Sequence, residues 1–121
     1  MTTTLITGGN KGLGLETARR LLAEGHDVWL GARDPQRGQA AASELGARYI
    51  ALDVTSDESV QAAASLLDTE VGHLDVLVNN AGIPGGWRAP ADTTADHVRA
   101  VYETNVFGLV RVTHEIGRAH V

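Results

Sequence analysis

The chain of 121 residues contains no cysteine, which excludes a disulfide framework and a thiolate metal site. Aromatic residues make up only 4%, so a core has to be built from Leu, Val, Ile and Ala. No apolar stretch comes near the roughly 20 residues that a membrane-spanning helix needs. The ten Lys and Arg form no run, and fifteen acidic residues bring the net charge to −5. That balance argues against a nucleic-acid surface or a polybasic membrane patch. The five His are scattered, with no pair at metal-ligand spacing, so no metal is expected. The opening Met1-Thr2-Thr3-Thr4 lacks the basic stretch and long apolar run of a secretory leader, and a cytoplasmic location is the expectation. What remains is an ordinary mixture, 43% hydrophobic and 21% charged, long enough for one domain with a real core.

Four short apolar runs recur: Leu5-Ile6, Val28-Trp29-Leu30, Tyr49-Ile50-Ala51-Leu52 and Val76-Leu77-Val78. They are continuous rather than alternating, the pattern of strands buried on both faces. Helical spacing fills the gaps. Leu15, Ala18 and Leu22 form one stripe, and Val60, Ala64, Leu67 and Val71 another. Thr55 and Glu58 have capping-box spacing before the second stripe. Gly25 and Gly72 sit where helices should stop, and a further helix between Arg37 and Leu45 would have Pro35 near its start. Alternating strands and helices predict an α/β fold, a parallel sheet with helices on both faces and right-handed crossovers. One irregular segment, from Ile83 to about Asp92, follows the fourth strand, at the end of the sheet where open α/β folds bind ligands.

Thr7-Gly8-Gly9-Asn10-Lys11-Gly12-Leu13-Gly14 directly follows the first strand and opens the first helix. A sharp turn and a close-lying pyrophosphate both call for glycine there, and the helix N-terminus offers free N–H groups to phosphate. A Gly-rich turn without a ligand is the plainer alternative. The spacing is T-G-x-x-x-G-x-G, and it resembles the short-chain dehydrogenase/reductase family. Asp53-Val54 after the third strand, Asn79-Asn80-Ala81-Gly82 after the fourth, and Thr104-Asn105-Val106-Phe107-Gly108 match further family motifs in the right order.

The resemblance, which runs from Thr2 to about His114, implies a Rossmann-type sheet reduced to about four strands in order 3-2-1-4. It implies cofactor contacts at Gly8, Asn10, Lys11, Gly12, Leu13 and Gly14, at Asp53 and Val54 near the adenine, and at Asn80, Ala81 and Gly82. Of the two asparagines, one should tie strands together and the other, Asn80, should meet the cofactor. The partner implied is a small carbonyl or alcohol substrate, and a homo-oligomeric parent stays open.

NADP(H) is the expected cofactor. An acid at the end of the second strand would select NAD, but here Arg33 stands at that place and can pair with a 2′-phosphate. Lys11 and Arg37 could add two more cations. The set looks most like the NADPH-dependent carbonyl reductase branch. Surface charges with no such role are the alternative, and Asp34 turned to the ribose would reverse the preference.

Val98, Tyr102, Asn105, Leu109 and Val112 fall on one helical stripe, so Asn105 is expected to be buried on the sheet-facing side. A buried amide needs partners. The family resemblance makes Asn105 the catalytic Asn that holds a water of the proton relay; a core Asn satisfied by backbone is the alternative. His26, His73 and His97 suit surface roles. Trp87 could wall a substrate pocket or simply be an exposed loop aromatic.

The family's reaction also needs a Ser, and a Tyr with a Lys four residues later. No Y-x-x-x-K occurs here: position 53 is Asp after Tyr49, and position 106 is Val after Tyr102. The chain by itself is therefore expected to be inactive, the cofactor-binding part of a longer oxidoreductase. A non-catalytic NADP-binding or sensing module is the rival reading. Ile116-Gly117-Arg118-Ala119-His120-Val121 reads as the translation of a common sequencing adapter. Residues 115–121 are accordingly expected to be a non-native tail, frayed or solvent-facing, after a domain spanning 1–114.

Overall fold

The computed structural model describes residues 1–117. Four strands, β1 (Thr3–Thr7), β2 (Asp27–Ala32), β3 (Arg48–Ala51) and β4 (Val76–Val78), form one sheet in the order β3-β2-β1-β4. Every pairing is parallel: Leu5 lies opposite Trp29 and Leu77, and Leu30 opposite Tyr49. The expected architecture and strand order are those observed.

Alternation along β1 explains why the sheet needs cover on both sides. Leu5 and Ile6 are both fully buried yet point to opposite faces. Ile6 joins Val28, Leu30, Ala18 and Ala42, the layer covered by α1 (Gly12–Ala23) and α2 (Pro35–Leu45). Leu5 joins Trp29, Ile50, Leu52, Val60 and Leu67 on the other side, where α3 (Asp57–Glu70) packs. Gly25, Gly46 and Gly72, just past α1, α2 and α3, take positive φ and end those helices.

Two local details differ from the sequence reading. The cap of α3 is Ser56, whose hydroxyl accepts from the Ser59 amide at 3.1 Å. Thr55 does not act as the cap because the Asp53 carboxylate has captured it: the Thr55 hydroxyl donates at 2.7 Å and its amide at 3.0 Å. The second difference lies in the C-terminal helix. It begins as α4 (Ala95–Tyr102), passes through a π-helical turn at Glu103–Gly108, resumes as α5 (Leu109–Val112) and ends in a second π-helical turn, Thr113–Gly117. The wider i→i+5 turns shift the register of the helix. Of the anticipated stripe, only Val112 is fully buried, while Val98, Tyr102 and Leu109 are exposed and Asn105 is too.

The expected frayed tail is also corrected in part. Ile116 is completely buried and belongs to the same apolar cluster as Leu67 and Val112. The rest of that expectation, residues 118–121, lies outside the described residues. An Ile at this position that fills the core should matter to stability. Ile116→Ala is expected to cost about 2–4 kcal/mol in urea unfolding; a loss under about 0.5 kcal/mol, the value for a surface position, would return Ile116 to the solvent-facing tail.

Candidate functional site

The first turn after β1 is shaped by close approach. Gly8 has φ 62°, and a Cβ on it would lie 2.9 Å from the Cα of Ala81. The loop therefore rests directly on the chain leaving β4, with no room for a side chain between them. Three hydrogen bonds fasten that contact. The Thr7 hydroxyl accepts from the amides of Asn80 at 3.0 Å and Ala81 at 2.9 Å. The Asn80 side chain donates to the Gly8 carbonyl at 3.0 Å. Lys11, extended at the N-cap of α1, makes no side-chain cap bond. The first-turn N–H groups of α1 thus have no side-chain acceptor at the cap, which leaves a donor-rich helix end.

A cleft of ≈ 470 Å³ opens above this junction, a size that suits a small molecule or cofactor. Of the expected cofactor residues, Gly8, Asn10, Lys11, Gly12, Arg33, Arg37, Asp53, Val54, Asn80, Ala81 and Gly82 all line it. Leu13 and Gly14 do not. Leu13 is largely exposed, and Gly14 is buried beneath the loop, where a Cβ would meet Nδ2 of the Asn80 side chain at 2.5 Å. Thr104 and Ile83 line the cleft as well and were missed from the sequence, as was the tie made by Thr7.

Electrostatics divide the cleft wall. The Asp34 carboxylate caps α2, accepting from the amides of Gln36 at 3.0 Å and Arg37 at 3.3 Å, and pairs with the Arg37 guanidinium at 3.5 Å. Arg33 and Lys11 enter no ion pair among the described residues and stay exposed. The Thr55 hydroxyl bonded to Asp53 holds that carboxyl below its ordinary range, helped by the Thr55 amide and by the positive charges of Arg33 and Arg111, against partial desolvation.

Asn105 lies in the π-helical turn beside the cleft rather than within its lining. Its Oδ1 accepts from the Ile83 amide at 2.8 Å and its Nδ2 donates to the Ile83 carbonyl at 2.9 Å. It is exposed, not buried, yet it stands against the Asn80–Gly82 segment: a Cβ on Gly82 would lie 3.3 Å from its Oδ1. The two asparagines after β4 both serve as ties. Asn80 binds the loop, and Asn79 donates to the Thr113 hydroxyl at 3.2 Å. The fully exposed Trp87 is not part of the cleft lining.

A donor-rich helix end, a Gly-shaped turn and a cleft at the C-terminal ends of parallel strands are the features at which Rossmann-type sheets take ligands. The profile of the short chain dehydrogenase family matches residues 2–120, and the chain belongs to that family. It is 46% identical to human carbonyl reductase [NADPH] 1 over 93% of this chain and 42% of that protein. Serine 3-dehydrogenase of Agrobacterium fabrum is 35% identical over 94% of this chain and 47% of its own length. A crystal structure of an actinorhodin polyketide ketoreductase variant with NADPH superposes with a TM-score of 0.91 at 37% identity, covering 98% of this chain and 47% of that one. The chain thus spans about half the length of the curated relatives it matches.

Thr7 is almost fully buried, so its two amide partners have no ready substitute for it. Thr7→Val keeps the shape and leaves both donors unsatisfied, at an expected cost of about 2–4 kcal/mol in denaturant unfolding. Thr7→Ser should recover most of it. Equal stability of the valine variant and the wild type would remove this tie from the account.

Proposed function

We propose that this chain is the NADP(H)-binding part of an oxidoreductase that moves a hydride between nicotinamide and a carbonyl or alcohol substrate. The observation that carries the cofactor choice is the division of labour between neighbours in the cleft wall. Asp34, the one acid that could favour NAD, is engaged in capping α2, whereas Arg33 is left to meet a 2′-phosphate. Lys11 lines the same cleft and adds a second cation. The carbonyl reductase and ketoreductase relatives carry NADPH in their names, which supports the same choice.

In this reading the N-terminal end of α1 meets the pyrophosphate through backbone donors, and Gly8 and Gly12 keep that approach open. Asp53 and Val54 bound the adenine end. Asn80, Ala81 and Gly82 form the floor towards the nicotinamide end. Asn105 would hold a water of the proton relay beside Gly82, with the Ile83 backbone fixing its amide. The nicotinamide supplies the hydride when bound, and the protein contributes position and electrostatics. Protonation of the substrate oxygen falls to a Tyr–Lys pair that these 121 residues do not contain, so the chain alone binds cofactor without turning over.

Titration of the chain with NADPH and NADH tests the assignment. Arg33→Asp is expected to weaken NADPH binding about ten- to a hundredfold, the equivalent of one charged phosphate contact, and NADH binding far less. Equal losses for the two cofactors would count against Arg33 as the selecting residue.

A further inference from the structure

Arg111 is singled out by how completely it is engaged. Only 19% of its side chain is exposed, yet it holds a full positive charge. Each guanidinium nitrogen has a different partner: Nε donates to Asp57 at 2.6 Å, Nη1 to the Val54 carbonyl at 2.6 Å, and Nη2 to Glu103 at 3.0 Å. Those partners belong to three separate parts of the fold. Asp57 is the first residue of α3, Glu103 opens the π-helical turn that carries Thr104 and Asn105, and Val54 is a wall of the cleft. The helix can come this close because residue 108 is glycine; a Cβ there would lie 2.7 Å from Cγ2 of Val54.

We propose that Arg111 is a positioning residue for the cleft, clamping the Asp53–Val54 wall to the helix that bears Asn105. The proposal rests on the reading of the cleft as a dinucleotide site. The guanidinium is the right group for the task, since its planar fork holds several acceptors in fixed directions while an ammonium is a single point. The clamp adds a link that the segment's other bonds, local or to α3, do not make. The Thr55 amide and hydroxyl donate to the Asp53 carboxylate and the Asp53 amide donates to the Ser59 hydroxyl of α3, whereas the Val54 carbonyl is tied across to the C-terminal helix by Arg111.

The test compares wild type, Arg111→Lys and Arg111→Met, with Leu74→Ala as a core variant away from the cleft lining. Affinities for NADPH and for adenosine 2′,5′-bisphosphate, melting temperature and amide exchange at Thr55 are measured for each. Arg111→Met is expected to weaken both ligands by the same factor, about tenfold, with Arg111→Lys in between. Leu74→Ala should lower the melting temperature without changing either affinity. Exchange at the Thr55 amide should quicken in Arg111→Met even without ligand. Unchanged affinity in a destabilised Arg111→Met would overturn the proposal, as would a loss confined to NADPH, which would place the effect at the wrong end of the cleft. If Arg111→Met does not fold, Arg111→Lys carries the same comparison. A wild-type chain that binds neither ligand would sink the cofactor reading instead; the clamp is then decided by Thr55 exchange, where faster exchange upholds it and unchanged exchange overturns it.

Discussion

The hydroxyl of Thr7 sits at the end of the central strand and accepts two amides from the chain leaving β4. The β4 side of the cleft is placed by this junction. It fixes how far Asn80 and Ala81 stand from the glycine loop, and so allows the Asn80 side chain to reach the Gly8 carbonyl. Because Gly8 packs on Ala81 without an intervening side chain, a shift at the end of β4 would pass directly to the glycine loop and the start of α1. The hydroxyl stands off the strand, so it receives two donors while β1 keeps its parallel pairings with β2 and β4.

Much of this was legible in the sequence because the relevant signals are local or periodic. Continuous apolar runs marked all four strands, and glycines marked the ends of α1 and α3. The glycine-rich loop was legible from its place between a strand and a helix, and Asp53 and Asn80–Gly82 from their likeness to family motifs; all of them line one cleft. What could not be read depended on competition between neighbours. Thr55 has the residue type and spacing of a cap, but a carboxylate two positions away offers it a better partner, and Ser56 caps α3 in its place. Asn105 was placed by assuming an even 3.6-residue repeat. The π-helical turn breaks that repeat, so the residue reaches the expected neighbourhood while its burial does not follow. The adapter-like spelling of residues 116–121 predicts a solvent-facing tail, yet an isoleucine of any origin will fill an apolar gap that lies within its reach.

The charges around the cleft show why a count of acids and bases is a poor guide to specificity. Asp34 and Arg37 neutralise each other at the start of α2, and Arg111 is held by Asp57 and Glu103. Among the described residues, the cleft-lining cations without an ion pair are Lys11 and Arg33. Adjacent residues of opposite sign, Arg33 and Asp34, therefore differ in engagement: Asp34 is held by the backbone of α2, and Arg33 enters no ion pair among the described residues.

The register of β4 has a consequence for the order of folding. β1, α1 and β2 are consecutive, and their pairing needs only a short crossover. β4 reaches β1 from more than seventy positions away in the chain, as the Thr3–Asp75 bond, with a separation of 72, makes plain. Closing so long a loop carries a larger entropic cost and comes late unless strong contacts wait at the end of it. The Thr7 junction spans 73 and 74 residues in the same way. A chain that has paired β1 with β2 but has not yet docked β4 would have its glycine turn without the surface that turn rests on. Binding competence would then arise only at the last stage of folding, and a bound ligand would trap the final state rather than template the early ones.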